Sequence, residues 1–145
     1  MTVNIRNAAS ADRERCLTLL AMLGGPDGRE TPASALETFD SLLSKARGQV
    51  LVAEEDGVIL GMATQSFNLA MRYGGEYAQL EELIVDPAAR GKNVGGLLLT
   101  ASIDAARARG AVEFGLYLVE WTEHNRPFYE KYGLKAVGTE MRMPL

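Results

Sequence analysis

The spacing of apolar residues changes period several times along this chain, and each change marks an element. Val3 to Asn7 reads as a short strand. Ser10 then supplies a capping hydroxyl, Asp12 and Glu14 fall in the first turns, and Cys16, Leu19, Leu20 and Leu23 recur at helical spacing up to the Gly24-Gly25-Pro26-Asp27-Gly28 stop. Thr31-Pro32 repeats the start signal for a second helix, with Leu36, Phe39 and Leu43 on one face until Gly48. Gln49 to Glu54 and Val58 to Phe67 are rich in β-formers, and Glu55-Asp56-Gly57 between them predicts a tight hairpin. After the loop Met71-Arg72-Tyr73-Gly74-Gly75, Glu76 to Val85 forms the next strand.

The second half alternates element types. Val94 to Arg109 carries Leu97, Leu98, Ala101, Ala105 and Ala108 at helical spacing and stops at Gly110. Val112 to Val119 reads as strand. Asn125 as an N-cap places Pro127 at the second helical position, where its missing N–H costs little, and Gly133 ends that helix. Leu134 to Met143 closes the chain as one strand or two. This order predicts one α/β (α+β) domain over residues 1–145, with a mixed, mostly antiparallel central sheet of six to seven strands flanked by about four helices. The unit around residues 85–94 should be a right-handed β-α-β crossover.

Composition narrows the function. With 47% hydrophobic and 23% charged residues the chain is globular in type, and 15 Lys+Arg against 19 Asp+Glu give a net charge of −4 without a basic run. A nucleic-acid surface is therefore disfavoured, and a cationic amine partner is electrostatically acceptable. The single cysteine, Cys16, excludes an intrachain disulfide and reads as a core thiol. Nothing resembles a signal core or a membrane span of about 18 apolar residues, so the expected location is cytoplasmic. No His, Cys, Asp and Glu cluster has metal-ligand spacing, so no metal is expected.

The most specific stretch is Leu83-Ile84-Val85-Asp86-Pro87-Ala88-Ala89-Arg90-Gly91-Lys92-Asn93-Val94-Gly95-Gly96, an apolar strand running through a turn into a helix. Such a turn presents N–H groups without intrahelical partners at the positive end of the peptide dipoles, which suits a phosphate or pyrophosphate. It is not a Walker loop, because Gly91-Lys92-Asn93 is no Gly-Lys-Ser/Thr triplet. Nor is it a dinucleotide fingerprint, since its glycine spacing differs and several elements precede it.

With Arg90-Gly91-Lys92-Asn93-Val94-Gly95 upstream, and Asn125 and Phe128-Tyr129-Glu130-Lys131-Tyr132-Gly133-Leu134 downstream, the chain resembles the GNAT N-acetyltransferase superfamily over nearly its whole length. The family signature is Gln or Arg, two residues, Gly, one residue, then Gly or Ala. Arg90 and Gly95 match it, while Asn93 replaces the first glycine; asparagine tolerates a left-handed backbone better than other non-glycine residues. The resemblance implies a GNAT-like acyl-CoA acyltransferase fold with acetyl-CoA as cosubstrate. Its pyrophosphate would lie on the N–H groups of Gly91, Lys92, Asn93, Val94, Gly95 and Gly96, with charge from Arg90 and Lys92. Its pantetheine would pair with the backbone of Leu83, Ile84 and Val85, where that strand diverges from its neighbour, as an added strand does. Asn125 is either a helix cap or a coenzyme ligand.

The same resemblance implies that Tyr129 donates the proton to the leaving thiolate, that an N–H near Ile84 or Val85 stabilises the oxyanion, and that a carboxylate base stands at Glu81 or Glu82. Alternation sends those two side chains to opposite faces; Glu81, which shares parity with Leu83 and Val85, is preferred, and a bulge would reverse the inference. Tyr132 and His124 are lesser candidates for acid and base. Acceptor specificity is expected from Gly24 to Glu30, Phe67 to Glu76 and Glu120-Trp121-Thr122-Glu123, with acidic Asp27, Glu30, Glu76, Glu120 and Glu123. The expected function is acetyl transfer to a small-molecule or peptide primary amine by direct attack in a ternary complex. The alternative is a silent acyl-CoA binding or sensing module of the same fold. Neither nucleic acid nor membrane is an expected partner, and Val137 to Leu145 is a candidate for pairing two copies into a homodimer.

Overall fold

Four strands form an antiparallel meander, and a fifth joins it by a parallel crossover. The computed structural model describes residues 2–24 and 30–145. In chain order the elements are β1 (Asn4–Asn7), α1 (Arg13–Ala21), α2 (Ala35–Leu42), β2 (Gly48–Glu55), β3 (Val58–Ala70), β4 (Gly75–Val85), α3 (Val94–Arg109), β5 (Phe114–Leu116) and α4 (Arg126–Glu130). The sheet order is β1-β2-β3-β4-β5, antiparallel except for β4 and β5. The β2–β3 hairpin turns on Asp56 and Gly57, both at positive φ (52° and 79°), as a type I′ turn requires.

Each face of the sheet carries its own core. On one face Val50, Val52, Met62 and Ile84 pack under Cys16 and Leu19 of α1 and Phe39 of α2. On the other, Leu51, Ala53, Ala63 and Leu80 meet Val94, Leu98 and Leu99 of α3. Alternation along β2 and β3, broken by a bulge opposite Ala53 and Glu54, produces this division. The close seating of α3 depends on Gly61 of β3, where an added Cβ would stand 2.7 Å from the Ile84 carbonyl oxygen and 3.1 Å from Val94.

Several expectations from sequence require correction. The sheet has five strands among the described residues, not six to seven. Leu134 to Met143 forms no strand, and Val137 (89% exposed) and Met141 (91%) face solvent. Its alternating pattern lacks a neighbour to accept its backbone bonds, because β5 is only three residues long rather than running from Val112 to Val119. Ser10 opens a short 3-10 turn ahead of α1 instead of capping it, and α2 starts at Ala35, beyond Thr31-Pro32. In α3 the buried stripe is Val94, Leu98, Leu99, Ser102 and Ala106, and Leu97 is exposed. No helix among the described residues is long and apolar enough to cross a membrane.

Candidate active site

The turn expected to hold an anion connects β4 to α3. Asp86 accepts the Ala88 N–H at 2.9 Å and donates its own N–H to Leu60 O at 2.8 Å, which fixes the end of the strand. Gly91 and Asn93 are both at positive φ (88° and 56°), so asparagine holds the left-handed position a glycine would otherwise take. Arg90 to Asn93 are exposed. The first bond into α3 is from Leu97 N–H to Asn93 O at 3.1 Å, and among the described residues no acceptor takes the N–H groups from Gly91 to Gly96. Arg90 has no ion pair there, whereas Lys92 is paired with Glu55 at the end of β2.

Beside this turn, β4 and β5 separate. They pair only from Ala78 with Phe114 to Leu80 with Leu116, so β4 from Glu81 to Val85 has no partner on that side. Because the Asp86 N–H points to β3, alternation turns the N–H of Ile84 to β3 and those of Leu83 and Val85 into the gap. Of the two residues nominated for the oxyanion donor, Val85 is therefore the one whose N–H faces the opening.

A cavity of about 660 Å³ opens at this separation and extends beneath α1 and α2. Both expected carboxylates line it, but they stand differently. The β3–β4 register shifts between Thr64, opposite Glu82, and Gln65, opposite Leu80, leaving Glu81 as the bulged residue. Leu80 thus shares the α3 face with Leu83 and Val85, while Glu82 joins Ile84 and Met62 on the α1/α2 face. Glu81 is exposed and accepts the Ser66 hydroxyl at 2.6 Å. Glu82 is largely withdrawn from water, accepts the Thr64 hydroxyl, and donates its N–H to the same oxygen at 3.2 Å. Burial raises the Glu82 carboxyl above its ordinary range; Thr64 lowers it and Glu81 adds to the rise. Of the two carboxylates, Glu82 is the one that the bulge, which alternation cannot reveal, puts inside, while Glu81 lines the cavity from an exposed position.

Tyr129 of α4 also lines the cavity, with its hydroxyl pKa raised by burial. It is seated by its neighbours: Phe128 reaches to 3.6 Å of where a Gly95 Cβ would be, and the Tyr132 hydroxyl to 2.1 Å of a Gly96 Cβ. Glycine at 96 is what lets α4 approach the first turn of α3, whereas a Cβ at 95 would make only ordinary contact with Phe128. Tyr132 is therefore a packing partner of α3, away from the cavity lining. Asn125 stands at the N-cap of α4 with Pro127 in the first turn, but its side chain makes no capping bond and lines the cavity instead. His124 is exposed in the preceding 3-10 turn.

Cys16 is buried at the cavity wall, and desolvation pushes its thiol up to about 11. It is protonated at neutral pH, unsuited to nucleophilic attack. The acceptor segment from Gly24 to Glu30, including Asp27, lies mostly outside the described residues, although Gly24 and Glu30 line the cavity. Trp121 lines it too, whereas Glu76 is held by Arg109. No group of three or more His, Cys, Asp and Glu among the described residues is arranged to hold a metal.

Two residues outside the sequence reading shape the site. Thr64 donates to the Glu82 carboxylate, and Arg15 of α1 donates to Asp86 at 2.7 Å and to Ile59 O at 3.0 Å, tying α1 to the start of the anion turn. Neither carries a motif: strand register places Thr64, and the packing of α1 against β3 and β4 places Arg15.

Comparison with known proteins accords with this geometry. A glucosamine 6-phosphate N-acetyltransferase of Trypanosoma brucei brucei is 29% identical over 98 residues, which span 67% of this chain and 65%, just under two thirds, of that protein. A probable glucosamine 6-phosphate N-acetyltransferase 2 of Oryza sativa subsp. japonica is 26% identical across 97% of this chain and 86% of its own length. The crystal structure of a transcriptional regulator from Bacillus halodurans C-125 superposes with a TM-score of 0.87 at 28% identity, over 99% of this chain and 100% of that one. The acetyltransferase (GNAT) family profile matches residues 13–134, the stretch that includes the anion turn, the strand separation and both candidate proton-transfer residues, and the chain belongs to that family.

Proposed function

We propose that this protein transfers an acetyl group from acetyl-CoA to a primary amine by direct attack in a ternary complex. The observation that carries the reading is the open edge of β4, which runs from the unpaired N–H groups of the anion turn to a cavity holding Glu82 and Tyr129. The residues present fit the donor: exposed N–H groups with Arg90 suit a diphosphate, and the outward backbone of Leu83 and Val85 suits the amides of a pantetheine arm. Bound there, acetyl-CoA supplies an activated thioester acyl group.

The chain's own residues provide the rest. Glu82, with a raised pKa, accepts the proton an ammonium acceptor must lose before it attacks, directly or through one water. The Val85 N–H donates to the carbonyl oxygen as negative charge develops there, an interaction worth ~3 kcal/mol of barrier. Tyr129, kept protonated by burial, returns a proton to the departing sulfur. Asn125 adds an amide to the wall of the channel, and Cys16 takes no covalent part.

Coenzyme A release measured across an amine panel tests this, with thermal shifts in acetyl-CoA and in NAD alongside. Turnover that falls roughly 10²-fold or more in Tyr129→Phe, with acetyl-CoA still stabilising the fold, is the expected result. Stabilisation by acetyl-CoA without turnover of any amine would leave a silent acyl-CoA binding module. Stabilisation by NAD alone would overturn the donor assignment.

A further inference from the structure

Beyond the unpaired amides and the proton-transfer pair, the part of the cavity under α1 and α2 has its own chemistry, and that chemistry bears on the acceptor. Leu17 and Leu20 of α1, Phe39 and Leu42 of α2 and Met62 of β3 line it on the face where Glu82 stands, and Trp121, 40% exposed, also lines it. Among the described residues, the charged groups in the lining are mostly acidic, Glu30, Glu81 and Glu82. Arg142 is the one lysine or arginine among the described lining residues. It is already engaged, paired with Glu140 and placed over the Tyr117 ring at 5.8 Å from its centroid.

We infer that the acceptor is an amine with an apolar, aromatic or branched body, carrying no phosphate. This rests on the acetyl-transfer reading above. An ammonium group is attracted to a wall of three carboxylates, and its hydrocarbon body is matched by leucine, phenylalanine, methionine and a half-exposed tryptophan. A phosphorylated amino sugar meets the opposite conditions. Its dianion would be repelled by the same carboxylates, with no unpaired lysine or arginine among the described lining residues to receive it, and the leucine, phenylalanine and methionine side chains would give its polar ring no apolar match. The acceptor chemistry of this chain thus departs from the one in the names of its two glucosamine 6-phosphate relatives. A difference of this kind arises in the walls without disturbing the fold, because α1 and α2 supply the acceptor side while the donor lies along β4 and α3.

The test uses the full-length protein with 2-phenylethylamine and glucosamine 6-phosphate as probes. Acetylation of each is followed by coenzyme A release, and binding of each to the protein saturated with coenzyme A is followed by calorimetry. The expected result is kcat/KM at least tenfold higher for 2-phenylethylamine, and saturable binding of that amine only. Trp121→Ala should raise the KM for 2-phenylethylamine about tenfold with less effect on kcat, and Trp121→Phe should restore most of the loss. Acetylation of glucosamine 6-phosphate while 2-phenylethylamine neither binds nor reacts overturns the acceptor inference and leaves acetyl transfer standing. Failure of both probes and of every other amine to react, with no stabilisation by acetyl-CoA, overturns the underlying function and this inference with it.

Discussion

A single hydroxyl sets the state of the carboxylate on which the proposed chemistry turns. Thr64 donates to Glu82 and offsets part of the cost of its burial, so the carboxyl is raised but not left unpartnered. As a base, Glu82 is useful only when ionised, and activity should rise with pH through a value above the ordinary carboxylate range. Thr64→Val removes the offsetting bond, and the acidic limb of the kcat/KM profile should move to higher pH while the alkaline limb stays in place. Glu82→Gln should lower kcat roughly 10²- to 10⁴-fold. The same substitution has a second consequence with the opposite benefit. A carboxyl raised in the folded state favours folding while protonated and loses that contribution as pH rises through its folded pKa. Glu82→Gln should therefore melt higher than wild type at pH 7, and the gap should close below the ordinary glutamate pKa. Melting curves at pH 4 and pH 7 check this.

Among the elements, the turn between β4 and α3 and the close contact beneath α3 are the most demanding. Asn93→Gly keeps the left-handed position and should bind acetyl-CoA with at most a small change in Kd. Asn93→Val, branched and at φ 56°, should cost ~1–2 kcal/mol of stability and weaken acetyl-CoA binding measured by calorimetry. At Gly61 an added methyl meets a backbone carbonyl rather than a movable side chain. Gly61→Ala should cost ~1–3 kcal/mol in denaturant melts as α3 is pushed off the sheet. How much of this was legible in advance depends on the range of the interaction. The bounds of α3, the Asp56-Gly57 hairpin and the exposed anion turn follow from local spacing and backbone preference, so the sequence alone reveals them. The choice between Glu81 and Glu82 depends on a bulge opposite Thr64 and Gln65, set by pairing across strands. Gly61 likewise reads as an unremarkable strand residue until α3 lies on it. The segment from Leu134 has strand-like alternation without a strand, because alternation states a preference and a ladder needs a neighbour.

At the scale of the whole molecule, the first strand is fastened to the rest by charge as much as by packing. Arg6 of β1 makes a two-pronged bond to Asp12, at 2.8 and 3.1 Å, and donates through Nε to Glu54 of β2 at 2.9 Å. Asp12 also accepts the Ala9 N–H at 2.7 Å, so one buried carboxylate joins β1, the turn before α1 and, through Arg6, the sheet. That joint matters to the site, since α1 supplies Leu17 and Leu20 to the cavity and carries Arg15 to Asp86 at the head of the anion turn. The Arg6 guanidinium holds the Asp12 carboxyl below its usual range, ahead of the opposing effect of burial. A carboxylate depressed in the folded state contributes stability that is complete above its unfolded pKa of about 3.9 and is lost as pH falls through the lower folded value. Asp12→Asn removes the ion pair at neutral pH, where it should cost ~1–3 kcal/mol by denaturant titration, in line with hydrogen bonds to charged groups. As pH falls through that lowered folded value the two proteins should converge, because wild type then loses the same charge. Equal stability at pH 7 would mean that the apolar contacts of α1 with the sheet hold the acceptor wall in place without this charged joint.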